Sequence, residues 1–312
     1  MVAAVATQCG KVWLTVSSLW RPIAASDKVV DAELEINWDL DCPPSVEHPD
    51  TIKVFTADPA HSMRFTEMSN ITVGRPPLPG GWDATGGATL PGPHCLKHHA
   101  ALYKNNVILT SSCLQIWPTW MYDLRRVLPI GTLMIPGTHN SGCYKHGDLT
   151  RRDAFQRYLL TQDRDVWTQL VHGIRYLDIR VGYYPPIPNN ATHNVEVDHT
   201  DRFWVNHDMI RITPLSAIIK DVRNFLDVAR GEVVIMDFHR STIISSLKIS
   251  SSHSLILEPD RGVEGLGPTL NDIWNSGKRL IICYGDKHTV NGTKIIIIII
   301  IIIIIIIIII II

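Results

Sequence analysis

Between residues 128 and 286, short apolar runs alternate with stretches whose apolar residues recur at helical spacing. Glycine, proline or polar residues bound each run, which is typical of buried strands. Helices are predicted at 215–226, between Pro214 and Gly231, and at 269–275. This alternation of strands and helices predicts a parallel sheet. The predicted strands lie near residues 133–135, 174–179, 203–205, 233–238 and 280–283.

Residues 1–115 have a different pattern. Polar and apolar residues alternate strictly at 32–40, and the apolar residues of 12–16 share that two-residue spacing, which is typical of half-buried antiparallel strands. Segment 102–109 is predicted to be a hairpin that turns at an Asn-Asn pair. We therefore predict an all-β, sandwich-like N-terminal module, followed by a linker at 116–127. The module either faces a membrane or a partner, or only packs against the second domain.

The last eighteen residues, 295–312, are all isoleucine. Their number approaches the roughly 20 apolar residues of a membrane span. A natural span mixes apolar residue types and has aromatic or basic flanks, so we interpret this run as an artefact such as a translated triplet repeat. Residues 128–294 then hold about five strands of the eight that a complete barrel needs. The expected fold is α/β, a TIM-type (β/α) barrel truncated after about five strands.

Composition limits the partners and the compartment. A net charge of −1 argues against a nucleic-acid partner, and the isoleucine tail inflates the 46% hydrophobic content. Four of the six cysteines fall within 1–115, which is consistent with two disulfides of open connectivity. With glycosylation sequons at Asn70, Asn190 and Asn291, these cysteines favour a secreted or extracellular protein with peripheral membrane contact. A cytoplasmic location is the alternative.

The candidate chemistry lies at the ends of the predicted strands. His139 follows the first strand in a Pro-Gly-Thr-His turn, where core packing gives no reason for a polar ring. Asp178 and Arg180 end the second strand, and His207 ends the third. Since (β/α) barrels carry their active sites at the carboxyl ends of strands, we expect these four side chains to form one site.

Two histidines and one arginine suit the cleavage of a phosphodiester by a hydroxyl of the substrate itself. A neutral imidazole removes the hydroxyl proton while a protonated one gives a proton to the leaving alkoxide, and a histidine pKa of about 6.5 leaves both forms accessible. A guanidinium such as that of Arg180 can hold the phosphate oxygens without a metal. Asp178 is predicted to orient Arg180 or the base.

Simpler interpretations exist for several of these residues. Asp178 and Arg180 also fit an ion pair at a sheet rim, and the Asn-His-Asp sequence around His207 also fits an ordinary polar loop. Three further residues lie in a polar loop at a spacing that matches no metal-ligand pattern, so we interpret them as solvated: His193, Asp198 and His199.

Four segments of residues 128–286 follow one another in a specific order: Pro-Gly-Thr-His-Asn-Ser at 136–141, Gly-Ile-Arg-Tyr-Leu-Asp-Ile-Arg at 173–180, Asn-His at 206–207 and Glu-Val-Val-Ile-Met-Asp at 232–237. In their order and spacing they resemble the X domain of phosphatidylinositol-specific phospholipase C, particularly the small X-domain-containing type. The resemblance implies that the inositol 2-hydroxyl attacks the phosphate, giving a cyclic inositol phosphate and diacylglycerol, with His139 as base and His207 as acid. It also implies a phospholipid substrate at a membrane surface.

This family stabilises the phosphate either with calcium held by acidic residues or with an arginine in place of the metal. Arg180 occupies the deciding position, which favours a site without a metal or other cofactor and disfavours calcium. Asn140 matches the calcium-dependent pattern; it can position an oxygen but cannot support the base electrostatically. Asp237 and His239 are the predicted substrate-binding residues, with His239 at a position that is Glu or Lys in the two groups.

Two other functions are alternatives: a non-catalytic phosphoinositide-binding relative, and a phosphodiesterase that acts on another phospholipid. The presence of His139, Arg180 and His207 together favours the enzyme over the binding protein. Barrels that cleave glycerophosphodiesters use paired carboxylates and a metal near the first strands. The first strand here ends in His-Asn without an acidic partner.

Overall fold

The chain folds into two compact units in the computed structural model. The first unit comprises Met1–Pro79, Pro93–Trp117 and Thr150–Arg152, and the second comprises Gly80–Gly92, Pro118–Leu149 and Asp153–Ile312. The isoleucine tail, the three sequons, the 193–199 loop and His239 lie outside the described residues. The structure describes residues 10–16, 21–22, 29–30, 34–40, 48–61, 65–66, 82, 90–124, 127–144, 159–184, 202–238, 254–255 and 267–284.

The described part of the first unit is all β, and its strands pair antiparallel. They form a four-stranded sheet in the order β6-β5-β7-β8 and the two-stranded pairs β1-β4 and β2-β3. The strands are β1 (Lys11–Val16), β2 (Arg21–Pro22), β3 (Val29–Val30), β4 (Leu34–Asp39), β5 (Thr51–Phe55), β6 (Phe65–Thr66), β7 (His94–Lys104) and β8 (Val107–Ile116).

Alternation and turn chemistry explain these strands. Val12 and Leu14 are buried while their neighbours along β1 are exposed, so the predicted half-buried strand is confirmed. Asn105 and Asn106 both have positive φ, 50° and 63°, as a tight hairpin turn requires, and the predicted hairpin is confirmed. A disulfide between Cys95 and Cys113 links β7 to β8. The other cysteines of the predicted module, Cys9 and Cys42, lie outside the described residues.

The second unit contains a sheet of five parallel strands in the order β15-β16-β14-β10-β9, and a separate antiparallel sheet in the order β11-β12-β13. Short 3-10 turns occupy Trp120–Asp123 and Ile130–Thr132. The elements are β9 (Gly137–Thr138), α1 (Val166–Val171), β10 (Tyr176–Ile179), β11 (Val181–Tyr183), β12 (Phe203–His207), β13 (Ile210–Pro214), α2 (Leu215–Val228), β14 (Val234–Phe238), β15 (Ser254–Leu255), α3 (Leu270–Asn275) and β16 (Leu280–Tyr284).

Both predicted helices of this unit are confirmed. Ile218, Val222 and Phe225 recur on one face of α2 and are buried, as an amphipathic helix requires. Helix α3 begins with a capping box in which Thr269 and Asp272 bond to each other's backbone amides. No helix within the described ranges has the length and apolar character to cross a membrane.

Alternation along the parallel strands separates an apolar face from a polar one. Leu177, Ile179, Met236 and Phe238 are at most 1% exposed. Asp178 points to the other face, where it lies beside Asp237 of β14, which in turn lies beside Cys283 of β16. This row of polar side chains lies near the carboxyl end of the sheet.

The strand predicted at 133–135 is wrong: the chain makes a 3-10 turn at Ile130–Thr132 and pairs only at Gly137–Thr138. Pro136 has no N–H that could donate to a neighbouring strand, so a strand through this residue is disfavoured. Its carbonyl accepts from the backbone amides of Arg175 and Tyr176. Leu133 and Ile135 pack against a buried apolar cluster around Met121 and Ile281.

The predicted place of the third strand in the parallel sheet is also wrong. β12 pairs antiparallel with β11 and β13, and β10 pairs directly with β14. A two-residue turn at Asp208 and Met209 joins β12 to β13, and a connection that short permits only antiparallel pairing. His207 therefore ends a hairpin strand. The five described parallel strands form an open row, so closure into a barrel stays a prediction.

Candidate active site

A tight turn after β9 presents His139. Thr138 Oγ1 donates to Gln169 Oε1 at 2.7 Å, and Gln169 Nε2 donates to the carbonyl of Ser141 at 2.9 Å. Asn140 has a φ of 44°, which its short polar side chain tolerates. A Cβ on Gly142 would lie 2.4 Å from Cδ1 of Ile218 on α2 and 2.9 Å from Cγ2 of Val205 on β12, so a larger residue would force these side chains to shift. The turn is therefore packed closely against α2 and β12.

The carboxylate of Asp178 contacts several of the candidate residues. Its Oδ2 lies 3.2 Å from Nδ1 of His139 and 3.2 Å from Nη2 of Arg180, and it accepts the backbone N–H of Asn140 at 3.0 Å. The carbonyl of Asp178 accepts the N–H of Ser141 at 2.8 Å. One buried carboxylate thus brings together three of the residues that the sequence predicted for the site.

The proton of His139 can be placed by chemistry. Its Nδ1 lies near the Asp178 carboxylate, which can only accept, and 3.3 Å from Nη2 of Arg180, which can only donate. The hydrogen bond to the carboxylate is charge-assisted, so we assign an Nδ1 proton to the contact with Asp178. In the neutral ring Nε2 is then the acceptor, on a side chain that is 61% exposed. That is the arrangement of a histidine ready to remove a proton from a substrate.

His207 is tied to the same region although it belongs to another sheet. Its Nδ1 donates to the carbonyl of Leu159 at 2.8 Å, which leaves Nε2 as the atom that can exchange a proton. The neighbouring Asn206 accepts from Asn140 Nδ2 at 3.0 Å, and its backbone N–H donates to the carbonyl of Arg180 at 2.8 Å. Two hydrogen bonds therefore join the end of β12 to the His139 turn and to the end of β10.

Asp237 lies beside Asp178 across the sheet and accepts a hydrogen bond from the hydroxyl of Tyr176. Burial and this carboxylate raise the pKa of Tyr176. Burial, and then Asp237, raise the pKa of the Cys283 thiol to about 11, and burial raises that of Cys143 to about 12. Both thiols are protonated near neutral pH, so neither is a nucleophile. Asp237, a predicted substrate-binding residue, thus lies next to Asp178. The other predicted substrate-binding residue, His239, lies outside the described residues.

Sequence reasoning missed Tyr176 and the buried pair of Arg175 and Glu232. Tyr176 lies two residues before Asp178, so strand alternation places both on one face and could have identified it. Arg175 Nε donates to Glu232 Oε2 at 2.8 Å, and both side chains are fully buried. Partners 57 residues apart in the chain leave no local pattern.

The polar interior of the site holds two oxygens without a described hydrogen-bond donor, Oδ1 of Asn140 and Oδ1 of Asp178. Within the described ranges, no group of three or more His, Cys, Asp and Glu side chains is placed to hold a metal ion. The absence of a cofactor therefore stays a prediction. The described groups supply two imidazoles, those of His139 and His207, and the guanidinium of Arg180.

No protein-family model matches the chain. It is 23% identical over 209 residues to PI-PLC X domain-containing protein 1 of Danio rerio, covering 56% of this chain and 60% of the relative. It is 22% identical over 207 residues to the Homo sapiens protein of that name, covering 58% and 57%. A variant-surface-glycoprotein phospholipase C of Trypanosoma brucei brucei is 27% identical over 149 residues, 38% of each chain. The chain thus spans about 60% of the length of the first of these relatives.

Solved structures of phosphatidylinositol-specific phospholipase C also match about half of the chain. The Staphylococcus aureus protein has 19% identity and a TM-score of 0.35, covering 54% of this chain and 52% of its own. The Listeria monocytogenes protein has 20% identity and a TM-score of 0.34, covering 55% and 58%. The chain is thus similar in sequence to proteins that carry the name PI-PLC X domain-containing protein 1.

Proposed function

We propose, from its relationship to the PI-PLC X domain-containing proteins, that the chain is a phospholipase C-type phosphodiesterase that cleaves a phosphoinositide. The observation that carries the proposal is the shared carboxylate of Asp178, which lies 3.2 Å from both a candidate base, His139, and a candidate phosphate-binding cation, Arg180. An ion pair with only a structural role gives no reason for an exposed imidazole at the same oxygen. A relative that only binds lipid does not need that imidazole.

In the proposed reaction, Nε2 of His139 takes the proton of the inositol 2-hydroxyl as its oxygen forms a bond to phosphorus. The bond between phosphorus and the glycerol oxygen breaks, and the leaving alkoxide receives a proton from Nε2 of His207. The products are a cyclic inositol phosphate and diacylglycerol. Each proton transfer of this kind contributes about 10²–10⁴-fold to the rate.

Arg180 takes the place of a metal in this proposal. Its guanidinium is always charged and its fork of donors suits two phosphate oxygens at once. Asp178 fixes one end of that fork at 3.2 Å and leaves the remaining donors for the substrate. Calcium would meet the repulsion of this cation, so we propose a mechanism that needs no metal.

The remaining parts of the proposal concern the surroundings of the site. The five parallel strands are taken as an arc of a TIM-type barrel, with Asp237 and His239 as the substrate-binding residues that the sequence predicts. The substrate is a phospholipid at a membrane surface, and the protein is secreted or extracellular. The Cys95–Cys113 disulfide supports an oxidising compartment, since such bonds are rare in the cytosol.

The test is the identity of the water-soluble product. The purified chain is incubated with vesicles of phosphatidylcholine and phosphatidylinositol, and the aqueous phase is followed by ³¹P NMR. We expect the resonance of a five-membered cyclic phosphate to appear first. Release of a non-cyclic phosphate alone, or release from phosphatidylcholine alone, contradicts the proposal.

A further inference from the structure

A short segment before α1, residues 159–162, binds the turn that carries His139. We call it the bridging segment. Gln162 Nε2 donates to the carbonyl of His139 at 2.6 Å, and Thr161 Oγ1 donates to the carbonyl of Asn140 at 3.0 Å. Carbonyl oxygens only accept, so both bonds need a donor on the side chain of the bridging segment. Two of its side chains thus hold the backbone next to the candidate base.

The backbone of the bridging segment is bound to the same turn. The amides of Thr161 and Gln162 both donate to the carbonyl of Cys143, at 3.0 Å and 3.1 Å. The chain that follows is tied to α1, because Gln169 Nε2 donates to the carbonyl of Arg164 at 2.7 Å. Four hydrogen bonds to the turn and one to α1 therefore fix where the bridging segment lies.

The same segment also reaches the candidate acid. The carbonyl of Leu159, two residues before Thr161, accepts from Nδ1 of His207 at 2.8 Å. A hydrogen bond at one ring nitrogen decides which nitrogen carries the proton of a neutral imidazole, so this bond keeps the proton on Nδ1. Asp178 orders the ring of His139, and the bridging segment orders that of His207.

We propose that Thr161 and Gln162 are positioning residues that fix His207 relative to His139 and keep the proton of its neutral ring on Nδ1. They act through the bridging segment and contact no substrate. A base and an acid must meet one substrate together, and a displacement of about 1 Å can cost about 10²-fold in rate. The inference deepens the proposed function and rests on it for the reaction that the two rings perform.

Rates on phosphatidylinositol test this inference in the full chain. Thr161→Val removes the hydroxyl but keeps the shape of the side chain, and Thr161→Ser restores the hydroxyl. Thr132→Val is a matched control, because Thr132 Oγ1 also donates to a backbone carbonyl, that of Pro129 at 2.7 Å, five residues before β9 begins. We expect Thr161→Val to lower kcat about 10–10²-fold with KM nearly unchanged, while Thr161→Ser and Thr132→Val match the wild type.

A second variant and a second measurement complete the test. Gln162→Glu cannot donate to the carbonyl of His139, and we expect it to lower kcat as Thr161→Val does. The tautomer of His207 needs no turnover and is measured by ¹⁵N NMR above neutral pH, where a free imidazole is unprotonated. The wild type, Thr161→Ser and Thr132→Val should keep the proton on Nδ1. In Thr161→Val and Gln162→Glu, both ring resonances should move towards those of a mixture of tautomers.

Wild-type kcat in both Thr161→Val and Gln162→Glu overturns the inference, and so does an equal fall in Thr132→Val or a rise in KM alone. Unchanged resonances of His207 in the two variants overturn it whatever the rates are. A wild type that forms no cyclic inositol phosphate overturns the proposed function instead. The tautomer of His207 then decides the inference by itself, and a change in both variants supports it.

Discussion

Asp178 accepts from His139 and Arg180 through the same carboxylate oxygen, at 3.2 Å in each case. The contact fixes the ring of His139 with Nε2 directed away from the carboxylate, and it holds the arginine beside that ring. A base and a cation that are aligned before the substrate binds lose little freedom when it arrives. The chemistry proposed for this protein depends on that alignment.

Replacing Asp178 by asparagine tests this alignment. Asparagine keeps an oxygen for the N–H of Asn140 but removes the charge that orders His139 and Arg180. We expect kcat to fall about 10²-fold with KM nearly unchanged, because the loss is one of positioning. Asp227→Asn, at an exposed carboxylate 4.0 Å from Arg223, should leave both constants unchanged. A change in KM alone for Asp178→Asn contradicts the positioning role.

The role of His207 as acid predicts a dependence on the leaving group. The alanine variant should cleave phosphatidylinositol about 10²–10⁴-fold more slowly, because the glycerol alkoxide needs a proton as it departs. A nitrophenyl ester of inositol phosphate releases a weakly basic phenolate that needs none. We therefore expect His207→Ala to retain most of the wild-type rate on that ester, measured by absorbance. Equal losses on both substrates argue against the assignment of the acid.

Arg180 as the replacement for a metal predicts turnover without calcium. The rate on phosphatidylinositol should be the same in excess chelator as in added calcium. Arg180→Lys keeps the charge but loses the fork of donors, and we expect it to be about 10²–10³-fold slower in kcat. Turnover that stops in chelator and returns with calcium contradicts this account.

Asp221 of α2 predicts how the free energy of unfolding changes with pH. Burial, together with the Asp165 carboxylate, raises the pKa of Asp221 to about 6, from an ordinary value of 3.8. The folded protein then keeps a proton that the unfolded chain releases, so this group's contribution to the free energy of unfolding falls as pH rises from about 4 to about 6. Asn at this position can still accept the N–H of Trp167, which donates to Asp221 at 3.3 Å.

We therefore expect Asp221→Asn to exceed the wild type in unfolding free energy by roughly 1–3 kcal/mol at pH 7 and to match it near pH 4. Urea unfolding at the two pH values measures this difference. A gap that is the same at both pH values indicates that Asp221 does not titrate between them.

The parts of the fold that sequence predicted are those set by local periodicity. Strict alternation identified β1 and β4, one-face spacing identified α2, and the Asn105-Asn106 pair identified a hairpin. The errors concern pairing. Nothing within 203–207 indicates that β12 lies outside the parallel sheet. Its pairing depends on the two-residue turn to β13 and on hydrogen bonds to Arg180 and Asn140.

The proximity of three candidate residues follows from the sequence, while their roles stay predictions. His139, Asp178 and Arg180 come together because the ends of neighbouring parallel strands meet, which strand order alone implies. The buried pair of Arg175 and Glu232 was missed, since a charged residue in an apolar sequence does not reveal whether a distant partner neutralises it.

His139 is proposed to act as the base on a phosphoinositide. The most direct test compares the wild type with His139→Ala for formation of cyclic inositol phosphate, with His48→Ala, an exposed histidine of the first unit, as the control. Vesicle binding is measured on the same samples. We expect His139→Ala to form cyclic product about 10²–10⁴-fold more slowly while it binds vesicles normally, and His48→Ala to match the wild type in both measurements. Substantial formation of cyclic product by His139→Ala contradicts the account.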